Sequence, residues 1–368
     1  MASEPPLSPS SLPSDSHEVI AVLESIHVPW EPIDLSPRTY EALVYHNTVA
    51  GTDDIEARIK DASIIICTTC KLTGETLSQA PYLKCILGHA VGTDHIDLAY
   101  CQQNGIQVMN STNCNTETVA EHALALYFAT RRSLVTIHNT LEDFSSPGRP
   151  NEWKAKGSMN ARMRDGTGAP PRTCREEVAG IVGYGAVGKH IARLCTALGM
   201  KVLISSRKDD SSPAVNGASS SSSIPSRVPF NTLLSTSSVL FLAVPLSPST
   251  RSLISAPELA LLQPSTTIIN VSRGGIVDEI AVLAALKARK MFGYGTDVFA
   301  TEPAGDGEDS CLLGTAALGE ERVNLVMTGH LAWLSETTIE NHKRKVGENL
   351  KAWVEGNGGG DVIVRGSK

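Results

Sequence analysis

The chain of 368 residues has few aromatic residues, 5% of the total, and no long apolar run. Its longest apolar runs, such as VLFLAV at 239–244, are far too short to cross a bilayer as a helix. The net charge is −7, so the basic excess that favours nucleic-acid binding is also missing. With 41% hydrophobic and 19% charged residues, the composition predicts a soluble globular protein with no membrane or nucleic-acid partner.

Recognisable targeting sequences are missing as well. Residues 1–16 are rich in Pro and Ser, and they lack both the basic start and apolar core of a secretory signal and the arginines of a transit peptide. The last residues, Gly-Ser-Lys, are not the Ser-Lys-Leu of a peroxisomal signal. We therefore expect 1–16 to be a disordered tail and the protein to be cytoplasmic.

The eight cysteines are scattered, and only Cys67 and Cys70, in CTTC, have the spacing of a metal or redox pair. A zinc site needs a second pair of ligands, and none has suitable spacing. Because the pair follows the apolar segment ASIII, we interpret it as the end of a buried strand, with metal or redox chemistry as the less favoured alternative. We predict no metal site and no disulfide framework.

Short apolar segments alternate with helix-like polar stretches in two regions of the chain. Strands are predicted at 19–24, 63–67, 83–87 and 106–109, and again at 178–182, 201–205, 238–244, 267–270 and 324–327. This alternation is typical of parallel sheets covered by helices, so the predicted fold class is α/β with two doubly wound parallel-sheet domains. Residues 117–132, apolar on nearly every side, predict a helix buried against other helices or a partner subunit.

A glycine cluster, GYGAVG at 183–188, lies between a predicted strand and an amphipathic helix expected at 186–198. Gly183 permits a tight turn, Gly185 lets the backbone approach a pyrophosphate, and Gly188 lets the helix pack closely on the strand. The helix N-terminus, at Ala186 and Val187, offers N–H groups to the anion. The cluster indicates a dinucleotide site, but a simple tight turn or the glycine loop of a methyltransferase would look alike.

The next predicted strand lacks the acidic residue that usually binds the adenosine ribose. It is followed by Ser206-Arg207-Lys208. Ser206 removes the repulsion that Asp or Glu would exert on a 2′-phosphate, Arg207 can stack on adenine and pair with the phosphate, and Lys208 adds positive charge. We predict that NADP(H) is preferred and that NAD(H) is the second choice; the alternative is a solvated basic turn indifferent to the phosphate.

Three charged residues follow later predicted strands: Arg273 in NVSRGGIVDE, Glu302 in GTDVFATEP and His330 in VMTGHLAW. In an open α/β sheet, ligands bind beyond the carboxyl ends of the strands. Arg can clamp the carboxylate of a 2-oxo acid, His can protonate its carbonyl oxygen as a hydride reaches the carbon, and a carboxylate beside the His raises its pKa. Each residue alone is more often structural, but together they favour reduction of a 2-oxo acid.

Between Val19 and Gly356, the sequence resembles the D-isomer-specific 2-hydroxyacid dehydrogenases. The resemblance depends on the motifs above together with GTDHIDL (92–98), TVAEHALAL (118–126), VPLSPSTRSLI (244–254) and HLAWLS (330–335). It is strongest to the glycerate dehydrogenase/hydroxypyruvate reductase and glyoxylate reductase branch. It implies an active NAD(P)-dependent enzyme that reduces a small 2-oxo acid to a D-2-hydroxy acid.

The resemblance also implies a domain organisation. Residues 17–116 and 332–368 would form a flavodoxin-like substrate domain, and 117–331 a Rossmann dinucleotide-binding domain through which a homodimer forms. The Ser-rich stretch 209–227 has a composition that cannot form a core, so we expect a mobile loop there.

Residue roles follow from the resemblance position by position. Arg273 matches the family's substrate-binding Arg, Glu302 its catalytic acid, and His330 its proton donor. Asp297 matches the residue that meets the nicotinamide carboxamide. The backbone at Val91 and Gly92 would bind the substrate carboxylate, and the further positions that would line the cofactor are Val244, Pro245, Thr250, Ser272 and Ala332.

Some positions depart from the family pattern. Gly329 stands where Pro is common, which predicts that His330 is held less firmly. Ser238 replaces a usual Asp, and the Ser-rich stretch is longer than the family needs. His89, beside the carboxylate-binding loop, is either a determinant for a polar substituent or, the favoured interpretation, a loop histidine with no such role.

Two other functions stay open on the sequence alone. A non-enzymatic dinucleotide-sensing protein, similar to the corepressors of this fold, would keep the glycine cluster equally well. A formate or phosphite dehydrogenase would keep the fold; Glu302 argues against formate, because formate enzymes of the family have Gln there.

Overall fold

The computed structural model describes residues 4–49, 53–142, 150–208, 226–314, 323–356 and 361–366. The chain divides into two compact units: unit 1 is Met1–Asn115 with Leu334–Lys368, and unit 2 is Thr116–Trp333. Most of the expected mobile loop, up to residue 225, lies outside the described residues.

In the described part of unit 1 a six-stranded sheet forms. Numbered in chain order, its strands are β1 (His17–Val22), β2 (Thr39–Val44), β3 (Ile64–Cys67), β4 (Cys85–Gly88), β5 (Gln107–Met109) and β13 (Val362–Val364). The order is β13-β5-β4-β3-β1-β2, and all pairs are parallel except β13 with β5. The parallel part has the flavodoxin-like order 2-1-3-4-5.

Helices cover this sheet and begin at side-chain caps. They are α1 (Ile55–Ile59), α2 (Gly74–Ser78), α3 (Leu98–Gln103) and α11 (Glu336–Val354). Asp54, Thr73, Asp97 and Ser335 each accept a hydrogen bond from a first-turn N–H group. The long helix α11 belongs to unit 1 because Val346 and Leu350 are buried in the same apolar cluster as β1, β3 and β4.

Residues 4–16 follow a defined path, in contrast to the disorder expected from their composition. The Leu7 N–H donates to the Tyr45 hydroxyl at 2.9 Å, and the Ser10 N–H donates to the Glu41 carboxylate at 2.8 Å. Composition describes only whether a segment can form its own core. Here the hydrogen-bond partners come from β2 and its neighbour, so the segment is held although it buries little.

The described part of unit 2 has a seven-stranded sheet in which every pair is parallel. Its strands are β6 (Val178–Val182), β7 (Lys201–Ser205), β8 (Ser226–Val228), β9 (Val239–Leu242), β10 (Thr267–Asn270), β11 (Gly293–Thr296) and β12 (Leu325–Met327). The order β12-β11-β10-β9-β6-β7-β8 is the Rossmann order 3-2-1-4-5-6 with one more strand. The predicted α/β class with two parallel sheets is confirmed.

Helices of unit 2 pack on both faces of that sheet. They are α4 (Thr116–Arg131), α5 (Leu134–Leu141), α6 (Glu152–Lys156), α7 (Ala186–Ala197), α8 (Phe230–Thr236), α9 (Ala256–Leu259) and α10 (Glu279–Lys287), with 3-10 turns at Asn160–Met163 and Cys174–Glu176. The apolar helix α4 buries Ala120, Ala123 and Tyr127 in one cluster with β6 and α7. The predicted burial of α4 is therefore provided by β6 and α7 of the same unit.

Ser238 is at the position where the family usually has Asp. The carboxylate of Glu177, which directly precedes the neighbouring strand β6, lies next to the Ser238 hydroxyl. The Ser238 hydroxyl donates to buried Glu177 and accepts from the Val178 N–H at 2.9 Å. Glu177 also pairs with Arg131, 2.5 Å away, and both side chains are buried. The negative charge is thus kept at this point and supplied by a different residue.

The CTTC segment is structural. Cys67 ends β3, and both Cys67 and Cys70 are buried. The buried Glu24 carboxylate accepts hydrogen bonds from the Thr68 and Cys70 N–H groups at 2.7 and 3.1 Å. Burial raises the pKa of both thiols, which keeps them protonated and poorly nucleophilic.

The part of the chain that the structure describes offers neither a ready metal site nor a membrane-spanning helix. Within it, no group of three or more His, Cys, Asp or Glu side chains is arranged to hold a metal ion. Nor does any described helix combine the length and apolarity needed to cross a membrane.

Candidate active site

The glycine loop joins β6 to α7, and each glycine occupies a different environment. Gly183 has φ +95°, and a Cβ there would lie 2.3 Å from the Ala243 carbonyl oxygen. At Gly188 a Cβ would lie 1.9 Å from the Gly183 carbonyl oxygen. A Cβ at Gly185, by contrast, would have no neighbour within 4 Å among the described residues, so they leave the space above its backbone open. This is the arrangement that a bound pyrophosphate requires.

The loop after β9 lies against this glycine turn. Gly183 approaches Ala243 and Val244, because β6 and β9 are neighbours at the point where the strand order reverses. The Thr250 hydroxyl accepts from the Ser247 N–H at 2.8 Å and donates to the Pro245 carbonyl at 2.7 Å. Thr250 therefore shapes the loop that contains Val244 and Pro245.

At the end of β7, the three predicted phosphate-contacting residues are in different situations. The Ser206 N–H bonds the Val228 carbonyl of β8 at 2.8 Å, and Arg207 is exposed. Lys208 forms an ion pair with Glu258, at 2.8 Å, so its charge is already matched within the protein.

Arg273 follows β10 in a loop organised by Asn270. The Asn270 side chain donates to the Arg273 carbonyl at 3.0 Å, and it accepts from the Ser272 N–H at 3.1 Å and hydroxyl at 2.8 Å. The Arg273 guanidinium donates to the Ser272 carbonyl at 2.8 Å. The half-buried guanidinium is near enough to Glu302 to favour its ionised form.

Asp297, 1% exposed at the end of β11, holds the segment that contains His330. Its carboxylate accepts from the Leu331 N–H at 2.8 Å, the Ala332 N–H at 2.8 Å and the Thr328 hydroxyl at 2.6 Å. Its carbonyl accepts from the His330 N–H at 2.7 Å. Asp297 therefore holds residues 328–332 in place by hydrogen bonds from both its carboxylate and its carbonyl.

His330 and Glu302 form a hydrogen-bonded pair, with 2.6 Å between Nδ1 and Oε2. Burial alone would raise the pKa of Glu302, but the bond and charge of His330, the Phe299 N–H at 2.8 Å and the charge of Arg273 together lower it. Glu302 is thus a carboxylate at neutral pH, positioned to stabilise a protonated ring. The other ring nitrogen, Nε2, takes no part in the bond to Glu302.

The predicted carboxylate-binding residues, Val91 and Gly92, lie in unit 1, after β4. The Val91 carbonyl accepts from the buried Asn110 side chain at 2.6 Å. The Ser111 hydroxyl and N–H donate to the carbonyls of Gly88 and Ala90 at 2.7 and 3.0 Å. Residues 110–111 thus fix this loop through the carbonyls of Gly88, Ala90 and Val91.

His89 is buried and stacks edge-to-face near His342. Burial lowers the pKa of His89 to about 3, so the ring is neutral near physiological pH. The ring therefore offers no positive charge to its surroundings.

Several supporting residues were not identified from the sequence. His122, in the TVAEHALAL motif, shares a hydrogen bond with the Thr328 hydroxyl at 2.9 Å and lies 3.8 Å from Asp297. Arg227 reaches the end of β7. Of these only His122 lies within a motif of the family; Arg227 lies in the stretch interpreted as a loop.

A family model, D-isomer specific 2-hydroxyacid dehydrogenase, NAD binding domain, matches residues 149–332. The chain is 35% identical over 304 residues to the glycerate dehydrogenase of Methylorubrum extorquens, covering 83% of this chain and 86% of that protein. It is 30% identical over 335 residues to the glyoxylate reductase of Thermococcus litoralis, covering 89% and 92%.

Solved structures of 2-oxo acid reductases and dehydrogenases are also similar to this chain. The NADPH-dependent glyoxylate/hydroxypyruvate reductase of Sinorhizobium meliloti, in complex with NADP and malonate, superposes with a TM-score of 0.70 at 25% identity, covering 95% of this chain and 99% of that one. A D-lactate dehydrogenase of Aquifex aeolicus, complexed with NAD and lactic acid, has a TM-score of 0.70 at 27% identity, covering 95% and 100%.

The glycine loop supports a paired test of the dinucleotide site. Gly185→Ala adds a methyl group to open space, so the fold should stay intact while NAD(P)H affinity falls by about tenfold or more, because the methyl blocks the pyrophosphate. Gly188→Ala should instead lower the free energy of unfolding by about 1–3 kcal/mol, because its methyl overlaps the Gly183 carbonyl. Fluorescence titration and chemical denaturation measure the two effects. Unchanged affinity in Gly185→Ala would place the cofactor elsewhere.

Proposed function

Because the chain belongs to the D-isomer specific 2-hydroxyacid dehydrogenases, an NAD(P)-dependent oxidoreductase family, we propose that it reduces a glyoxylate- or hydroxypyruvate-type 2-oxo acid to a D-2-hydroxy acid, with NADPH preferred. The observation that supports this most directly is the pair of His330 and Glu302, at 2.6 Å, with the charge of Arg273 acting on Glu302. The relatives named for glycerate and glyoxylate support the substrate class.

In the proposed mechanism, the Arg273 guanidinium binds the substrate carboxylate and polarises the adjacent carbonyl. Val91 and Gly92 of unit 1 are retained in this proposal as residues whose N–H groups bind the substrate carboxylate. A bound nicotinamide supplies the hydride to the carbonyl carbon. The protonated His330 donates its Nε2 proton to the oxygen, and Glu302 holds Nδ1 and stabilises the cationic ring.

The glycine loop and the neighbouring loops fit a dinucleotide. Gly185 leaves room for the pyrophosphate at the N-terminus of α7, and the Val244–Pro245 loop borders the same turn. Ser272, after β10, and Ala332, beside the Asp297 carboxylate, are the further cofactor positions of this proposal. Asp297 is retained in this proposal as the residue that meets the nicotinamide carboxamide.

His330→Ala should reduce kcat by about 10²–10⁴-fold, because the proton donor is lost, while NADPH affinity stays unchanged. His46→Ala, which removes an exposed histidine of unit 1, is the matched control and should retain full activity. Steady-state kinetics with glyoxylate and hydroxypyruvate measure turnover, and fluorescence titration measures cofactor binding. Wild-type protein that binds NADPH but reduces no 2-oxo acid in a broad panel would favour the dinucleotide-sensing alternative.

The preference for NADPH is proposed from the end of β7, where Ser206 occupies the position at which an acidic residue usually binds the ribose. The double variant Ser206→Asp, Arg207→Ala introduces that carboxylate and removes an exposed guanidinium. The ratio of kcat/KM for NADPH to that for NADH should fall by at least about tenfold. Wild-type kinetics with both cofactors provide the reference. A higher wild-type kcat/KM with NADH would contradict the proposed preference.

We propose a homodimer formed through unit 2, because apolar side chains remain uncovered there. Phe128 on α4 is 38% exposed, Leu134 and Val135 on α5 are 54% and 38% exposed, and Trp153 on α6 is 60% exposed. Apolar side chains grouped on neighbouring helices are typical of a protein interface.

Leu134→Glu should convert the dimer to a monomer, because a carboxylate would be buried without a partner. Leu261→Glu is the matched control, since Leu261 is 41% exposed on another part of unit 2. Light scattering coupled to gel filtration measures the mass against the 39.1 kDa of one chain. A wild-type protein that is already monomeric would disprove the dimer.

A further inference from the structure

The charge of Lys208 is paired with a carboxylate of the same unit, unit 2. Its ammonium lies 2.8 Å from Glu258, whose side chain is 8% exposed. Glu258 is also the third residue of a capping box at the start of α9, where it accepts from the Ser255 N–H and hydroxyl at 3.0 and 2.9 Å. A nearly buried carboxylate needs a matching cation. Lys208 and Glu258 together therefore contribute no net charge near the end of β7.

A second cation reaches the same strand end from β8. Arg227 is paired in register with Ile204 of β7, and its guanidinium donates to the Ser205 carbonyl at 2.7 Å. The Ser206 N–H is held by the Val228 carbonyl, the residue after Arg227. These bonds fix Arg227 beside Ser206. A guanidinium has five N–H donors, so several remain for an anion.

Arg227 is also suited to a phosphate by exposure and chemistry. Its side chain is exposed, and its fixed fork can make two parallel bonds to phosphate oxygens. Ser206 offers a short hydroxyl in place of a repelling carboxylate. Arg207, the next residue after Ser206, is exposed as well and supplies the other guanidinium of the strand end.

We propose that Arg227, together with Arg207, binds the 2′-phosphate of NADPH, while Lys208 serves to neutralise Glu258. This assignment rests on the proposed preference for NADPH. It makes β8 a second determinant of cofactor choice beside the loop after β7. It also changes the role of Lys208 from a phosphate ligand to a residue that prevents Glu258 from repelling the phosphate.

The two cations then differ in how their loss is compensated. Lys208→Ala exposes the Glu258 charge and should weaken NADPH binding, and adding Glu258→Gln should restore most of that affinity. Arg227→Ala removes a ligand, so Glu258→Gln should not restore it. A direct phosphate contact by Lys208 would give the opposite result, with no rescue in the Lys208→Ala, Glu258→Gln double variant.

The experiment is fluorescence titration of the full-length protein with NADPH and with NADH. Arg227→Ala should weaken NADPH binding by about tenfold and leave NADH binding unchanged, because a charge-assisted bond is lost only where a phosphate is present. Arg227→Lys should retain part of the NADPH affinity, and Arg193→Ala, on the exposed face of α7, should change neither. Thermal melting checks that each variant is folded.

The outcomes separate this inference from the proposed function. If the wild-type protein prefers NADPH and neither Arg227→Ala nor Arg227→Lys changes that preference, the role of Arg227 would be overturned. The proposed preference for NADPH would then still stand. Equal weakening of NADPH and NADH would also overturn it, since the residue would then act on the fold or on the shared part of the cofactor. Wild-type preference for NADH would overturn both the cofactor proposal and this inference, and leave 2-oxo acid reduction to be judged by turnover.

Discussion

The geometry of the proposed catalytic residues depends on the buried carboxylate of Asp297. This carboxylate accepts three hydrogen bonds from residues 328–332, and the backbone carbonyl of Asp297 accepts a fourth from the His330 N–H. His330 has φ +56°, a left-handed conformation that costs an L-residue roughly 1–2 kcal/mol. Hydrogen bonds on both sides of this residue offset that cost and set the direction of its ring. In this conformation the His330 ring reaches the Glu302 carboxylate.

Parallel strand order brings the remaining groups to one edge of unit 2. Arg273 follows β10, Asp297 follows β11 and His330 follows β12, and these three strands are consecutive neighbours in the sheet. Their carboxyl ends therefore meet at the same edge, although the residues are dozens of positions apart in the chain. The glycine loop follows β6 at that same edge. Parallel pairing thus brings the glycine loop and the residues proposed for proton transfer to one edge of the sheet.

The sequence predicted buried elements well and half-exposed ones poorly. Strands β6, β7 and β10 are confirmed at their predicted bounds, because each is an apolar run ended by glycine or polar residues. Strands β2, β8 and β13 were not predicted: they are short or partly exposed edge segments that become strands only by pairing with a neighbour. The buried strand β11 was also given no predicted range, because two of its four residues are glycines. The pair of Lys208 and Glu258 was missed for the same reason, since nothing local in either segment predicts the other. Motif spacing selected the candidate residues Arg273, Glu302 and His330 but could not show which side chains are already paired.

Gly329 illustrates how a local departure is compensated by tertiary contacts. A proline would restrict the backbone before His330 through its ring, whereas glycine leaves that backbone free in an unfolded chain. The sequence alone therefore predicted a loosely held histidine. In the folded protein, the Thr328 hydroxyl connects His122 of α4 to the Asp297 carboxylate, one residue before the glycine. The restraint that a proline ring would provide locally is supplied instead by a helix and a strand that are remote in sequence. His330 is therefore held by hydrogen bonds on both sides of it in the chain.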